Sequence, residues 1–92
     1  MAKIIIPTPL RKFTGGKSSF ESNGTTVQAV VDNLVAENES LGQQILDSSG
    51  SIRSFIRVYV GDEDINELEG ADTAINENTI ISIVPAIAGG IQ

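Results

Sequence analysis

Five aliphatic side chains, Val27, Val30, Val31, Leu34 and Val35, recur at i, i+3, i+4, i+7 and i+8 and draw one apolar stripe along a predicted helix. The other clearly patterned apolar runs in the chain read as strands. One helix can cover only one face of a sheet, which restricts how those strands can be layered. Thr25 is the expected N-cap, and Gln28 three residues later completes a capping-box pattern. Four valines in the stripe lower its intrinsic helix propensity, so packing has to hold this helix in place. Leu41, Ile45 and Leu46 suggest a shorter second helical turn before the Ser48-Ser49-Gly50-Ser51 loop.

The strands follow from alternation and punctuation. Lys3-Ile4-Ile5-Ile6-Pro7 reads as a strand with both faces at least partly covered, ended by Pro7 and Pro9. Thr14-Gly15-Gly16 is a turn, and residues 17–22 form an antiparallel return strand closed by Asn23-Gly24. In the segment 55–60, Ile56, Val58 and Val60 are expected to face the helix, and Phe55, Arg57 and Tyr59 the other side. Gly61-Asp62 turns the chain into a short strand at 63–65, and 66–78 is polar and loop-like. The last strand, 79–84, puts Ile81 and Ile83 on one face and Ile80, Ser82 and Val84 on the other, and Pro85 is expected to stop it. The order is strand, strand, helix, strand, short strand, strand. If the first and last strands are parallel neighbours, the helix is the crossover between them. That pattern describes an α+β, β-grasp (ubiquitin-like) fold with a mixed sheet of about four to five strands and one main helix on one face.

With 92 residues the chain is long enough for one small domain. The domain is expected over residues 1–88, with 89–92 as a diglycine end and a removable Ile-Gln extension. There is no cysteine and no histidine, which excludes disulfides, thiol catalysis and thiolate or imidazole metal sites. The lack of cysteine is compatible with a reducing cytoplasm, the expected location. No apolar run approaches a membrane span, and none reads as a signal peptide. Net charge is −6, and no basic residue follows Arg57, whereas Asp62, Glu63, Asp64, Glu67, Glu69, Asp72 and Glu77 do. Such a surface repels phosphate backbones, so nucleic acid is not an expected partner and a protein with a basic docking surface is.

Composition and packing leave the C-terminal segment Pro85-Ala86-Ile87-Ala88-Gly89-Gly90-Ile91-Gln92 unexplained. Glycine has no Cβ, so Ala88, Gly89 and Gly90 can thread a channel that would reject larger side chains, and Gly90 would present an unhindered carboxyl carbon. Val84-Pro85-Ala86-Ile87-Ala88-Gly89-Gly90 resembles the ending of the MoaD/ThiS family of ubiquitin-like sulfur carriers. Together with residues 6–16 (IPTPLRKFTGG) and 55–64 (FIRVYVGDED) it looks most like that family's CysO branch, sulfur carriers for cysteine biosynthesis. Most MoaD and ThiS proteins stop at the second glycine, whereas Ile91 and Gln92 follow it here.

The resemblance implies a chemistry. A JAMM-type zinc metalloprotease would cut between Gly90 and Ile91. An E1-like (MoeB/ThiF-type) adenylating enzyme would use ATP to activate the Gly90 carboxylate, and a sulfur donor would convert it to a thiocarboxylate. A sulfur-accepting synthase would consume it, for cysteine or homocysteine or else for molybdopterin. Conjugation of Gly90 to target lysines, as a protein modifier, uses the same activation. The chain itself is expected to bind no cofactor or metal and to have no catalytic site. Asp62-Glu63-Asp64 lacks EF-hand spacing and reads as a hairpin turn, and Gly15-Gly16-Lys17-Ser18 lacks the first glycine and the helix of a phosphate-binding loop. Docking falls to Phe55, Arg57, Tyr59, Ile80 and Val84 on the outer sheet face. Arg11 is added because related carriers place an arginine that contacts the activating enzyme after the first strand.

Overall fold

The computed structural model describes residues 1–85. Five strands form one mixed sheet: β1 (Ala2–Ile5), β2 (Ser19–Ser22), β3 (Ile56–Val60), β4 (Glu63–Asp64) and β5 (Ile80–Pro85), in the spatial order β2-β1-β5-β3-β4. β1 and β5 are parallel central neighbours, with Lys3 opposite Ile80, Ile4 opposite Ile81 and Ile5 opposite Ser82. The remaining pairings are antiparallel. Helix α1 (Val27–Glu37) lies in the crossover and packs on one face, followed by α2 (Glu39–Ile45). This is the β-grasp arrangement expected from the strand order.

The core sits between α1 and the inner sheet face. Val27, Val30, Val31 and Leu34 of the stripe are buried, with Val35 packed at its margin. They meet Ile4, Ile56, Val58, Ile81 and Ile83 from the sheet and Leu41 and Ile45 from α2. Among the described residues every buried side-chain nitrogen or oxygen has a hydrogen-bond partner, as a stable interior requires.

Several expectations shift. The cap of α1 is Thr26, whose hydroxyl oxygen accepts from the Ala29 amide at 3.1 Å, and not Thr25. The Thr25 carbonyl accepts instead from the Ile75 amide at 2.9 Å, which holds Thr25 in the connection to β5. Gln28 makes no capping box: its amide nitrogen donates to Asp32 Oδ1 one turn on. Pro85 does not stop β5 but is its last residue, opposite Ile56. It lies beyond the stretch of β5 that β1 covers, so its missing N–H interrupts no bond on that side. The strand expected at 63–65 ends at Asp64, and Ile65 turns inward to be buried in a 3-10 helix, Ile65–Glu67. The loop-like 66–78 segment holds a second such turn, Gly70–Asp72, and Thr26 bridges to Ala74. After β1, a further 3-10 helix, Thr8–Phe13, carries Pro9 in its first turn and buries Leu10.

Gly42 of α2 packs against Val35 of α1. A Cβ placed there would lie 2.6 Å from Val35 Cγ1. Alanine in a helix interior gains about 1 kcal/mol over glycine. Overpacking a core costs about 1–3 kcal/mol, and the stiff χ1 of a helical valine limits relief. Gly42→Ala is therefore expected to be destabilising, by up to about 2 kcal/mol net, in a urea unfolding curve. A stability gain would show that α2 slides to accommodate the methyl group. After α2, Asp47 organises the loop: its Oδ1 accepts from the Ser49 hydroxyl and the Ser49 and Ser51 amides, and these bonds hold its carboxyl below its ordinary pKa.

Candidate docking face

The alternation that buries Ile81 and Ile83 turns Ile80, Ser82 and Val84 outward, and the register aligns them with outward residues of the neighbouring strands. Arg57 is opposite Val84, Tyr59 is opposite both Ser82 and Asp64, Ile5 is opposite Ser82, and Lys3 is opposite Ile80. Among the described residues no α-helix lies on this side. Ile80 is 50% exposed, Val84 44% and Phe55, just before β3, 38%. Tyr59 and Ile5 are half-buried between their strand neighbours. Of the five docking residues assigned to this sheet, Arg57, Tyr59, Ile80 and Val84 thus share one face, while Phe55 stands exposed in the turn before β3.

Arg11 lies elsewhere. It sits in the 3-10 helix after β1, half-buried, and its Nε donates to the Ile6 carbonyl at 3.0 Å. That bond ties the helix back to the end of β1. Residues 86–92 lie outside the described residues, and with them Ala88, Gly89, Gly90 and Ile91. The described chain ends at Pro85, one residue after Val84, so β5 delivers both the exposed face and the root of the C-terminal segment.

Sequence reasoning missed three members of the face. Ile5 was hidden in an unbroken Ile run, although Ile4 and Ile6 are both fully buried and alternation alone places Ile5 opposite to them. Lys3 and Asp64 join only through strand register, which no local spacing announces. Asp64 accepts from Arg57 Nη1 at 3.3 Å.

The charges on the face balance: Lys3 lies opposite Glu21, and Arg57 pairs with Asp64. The acidic surplus is displaced. Asp62 and Glu63 belong to the β3–β4 hairpin, whose tight turn is opened by Gly61 at φ 62°. Glu67, Glu69, Asp72 and Glu77 lie in the connection that runs to the helix side.

Three other features of the described residues were candidates for chemistry in the sequence or the surface. Among the described residues no group of three or more His, Cys, Asp or Glu side chains could hold a metal ion. Gly15-Gly16-Lys17-Ser18 runs into strand β2, not a helix. A cleft of about 210 Å³ beside β3 is lined by one cation, Arg53, with Asn66, Ser54 and aliphatic side chains, which gives no acid–base pair. Among the described residues no helix is long and apolar enough to cross a membrane.

Comparison with known proteins gives a family and close structural likenesses. The ThiS family model matches residues 4–90. The sulfur carrier protein CysO of Mycobacterium tuberculosis is 38% identical over 89 residues, covering 95% of this chain and 96% of that protein. Small archaeal modifier protein 3 of Haloferax volcanii is 27% identical over 82 residues, covering 87% and 88%. A crystal structure of the BexX/CysO complex of Amycolatopsis orientalis contains a chain that superposes with a TM-score of 0.87. It is 32% identical, and the match covers 98% of this chain and 100% of that one.

Proposed function

Because the chain belongs to the ThiS family, we propose that it is a sulfur carrier whose working group is the Gly90 carboxylate, freed by removal of Ile91 and Gln92. The observation that carries this reading is the family match itself, which runs from Ile4 to the end of the described fold and reaches Gly90. While Gly90 is amide-linked to Ile91 it has no carboxylate, so proteolysis, by a JAMM-type zinc protease, precedes any chemistry.

A free carboxylate is a poor acyl donor. In the proposed cycle an E1-like, MoeB/ThiF-type enzyme docks on the outer sheet face and binds ATP. A Gly90 carboxylate oxygen attacks the α-phosphate, and pyrophosphate leaves. A sulfur donor then displaces AMP and leaves a thiocarboxylate, whose sulfur passes to an accepting synthase, for cysteine or homocysteine. The carrier contributes no nucleophile or base to these steps. It contributes position: Gly90 is six residues beyond Val84, so a gripped face confines it within about 20 Å of that side chain. The location that fits this chemistry is the cytoplasm, where ATP and reduced sulfur are at hand.

Intact-mass measurement of protein from its native host under sulfur limitation tests the proposal. The expected species ends at Gly90 and is heavier than the plain acid by the difference between sulfur and oxygen. A population that keeps Ile91 and carries no sulfur under those conditions would sink it. The likeness to an archaeal modifier protein favours a second reading, conjugation to lysines through Gly90. Ladders of higher-mass conjugates that disappear when Gly90 is deleted would establish that one.

A further inference from the structure

Asp64 bounds the outer face at the β4 edge, and its carboxylate is used twice. Oδ2 accepts from Arg57 Nη1 at 3.3 Å, and Oδ1 accepts from the Asn66 amide at 2.9 Å, capping the 3-10 helix Ile65–Glu67. The Asp64 side chain is only 12% exposed, whereas that of Arg57 is 52% exposed. Asp64 stands opposite Tyr59, two residues along β3 from Arg57, so the ion pair runs diagonally across the outer face. One carboxylate thus fastens an exposed cation to a backbone turn.

An unrestrained arginine on a strand loses much rotamer freedom when a partner binds it. Arg57 is already tethered through one of its five N–H groups, and among the described residues the others meet no protein acceptor. A guanidinium is always charged, and its planar fork matches a carboxylate. We infer that Asp64 is a positioning residue, holding the Arg57 guanidinium at the edge of the apolar face so that its remaining N–H groups receive a carboxylate of the docking partner. This rests on the docking reading above and adds the partner's chemistry. The partner surface offers an apolar patch to Ile80 and Val84 and an Asp or Glu to Arg57. It differs from the basic surface suggested by net charge, because the acidic residues on the face, Asp64 and Glu21, stand against Arg57 and Lys3, and the acidic surplus is displaced from it.

The test uses protein trimmed to Gly90 as substrate for the host's ThiF-type adenylating enzyme, with Asp64→Asn made alone and with Arg57→Ala. The asparagine oxygen still accepts from the Asn66 amide, so the cap survives, and thermal unfolding confirms that the variant folds. Asp64→Asn is expected to raise the carrier's KM about two- to tenfold, the cost of ordering one free side chain at an interface, with kcat unchanged. In the Arg57→Ala background it is expected to raise KM no further. In the free protein, Asp64→Asn should also collapse the distinct guanidinium NMR signals of Arg57. The same KM penalty in both backgrounds, or unchanged Arg57 signals, overturns the inference. If the enzyme ignores the trimmed wild type, the sulfur-carrier reading and the carboxylate half of this inference fall together, while the NMR comparison alone decides whether Asp64 holds Arg57.

Discussion

Deleting Gly90 from the trimmed protein is expected to abolish measurable adenylation while leaving the fold intact. The deletion withdraws the carboxylate by one residue, about 3.5 Å. Misplacing a reacting atom by even about 1 Å can cost 10²-fold in rate, so the loss here should be at least about that large. The protein that still carries Ile91 should be as inactive at Gly90 for a different reason, since the acyl group is locked in an amide. Pyrophosphate release by the adenylating enzyme measures both. Circular dichroism should show the same unfolding midpoint for all three proteins, because none of the core residues is touched. Adenylation of the Gly90-deleted protein at the trimmed protein's rate would remove Gly90 from its proposed role.

The second large effect concerns the core. Leu34 is fully buried at the centre of the α1 stripe. Truncating a buried leucine to alanine costs about 2–5 kcal/mol, and domains of this kind are stable by only about 5–15 kcal/mol. In a domain of 60–100 residues each kcal/mol moves the unfolding midpoint by about 4–8 °C. Leu34→Ala is expected to lower the midpoint by at least about 8 °C. Val84→Ala, at an exposed position on the other side of the sheet, should stay within about 1 kcal/mol of the wild type. Its effect should appear instead as weaker docking to the adenylating enzyme. Equal midpoints for the two variants would mean that the helix is not the element that closes the core.

These two experiments separate the parts of the molecule that work independently. Leu34 acts on whether the scaffold exists, while in the proposed function Val84 acts on what the scaffold grips and Gly90 on what reacts. The division follows from the sheet having one covered and one uncovered face. On the proposed function, the carrier needs no acid or base of its own, and its selectivity would lie in how the outer face and the chain length to Gly90 fit the enzyme.

Much of the fold was legible because its signals are local. The 3.6-residue spacing from Val27 to Val35 and the two-residue alternation of Ile81 and Ile83 against Ile80 and Val84 each report which side of an element is buried. Those two periods and the turn residues suffice to order the strands and to separate the inner sheet face from the outer one. The diglycine end was read in another way, from contiguous residues that resemble the family's ending, and it lies outside the described residues.

What escaped the sequence was whatever depends on a neighbour distant in the chain. Thr25 and Thr26 are equally good caps in isolation. The choice fell to Thr26 because the connection to β5 uses Thr25, through the Ile75 amide. Pro85 looked like a terminator, and it is accommodated because β1 ends before reaching it. Asp64 belonged to an acidic run until register set it beside Arg57. The sequence alone determined the periodicity of each element and the identity of the diglycine end, since both are written in adjacent residues. Only the tertiary structure decided the caps, the strand ends and the ion pair on the outer face, because each is set by which distant backbone or side-chain group the fold brings within reach to satisfy it.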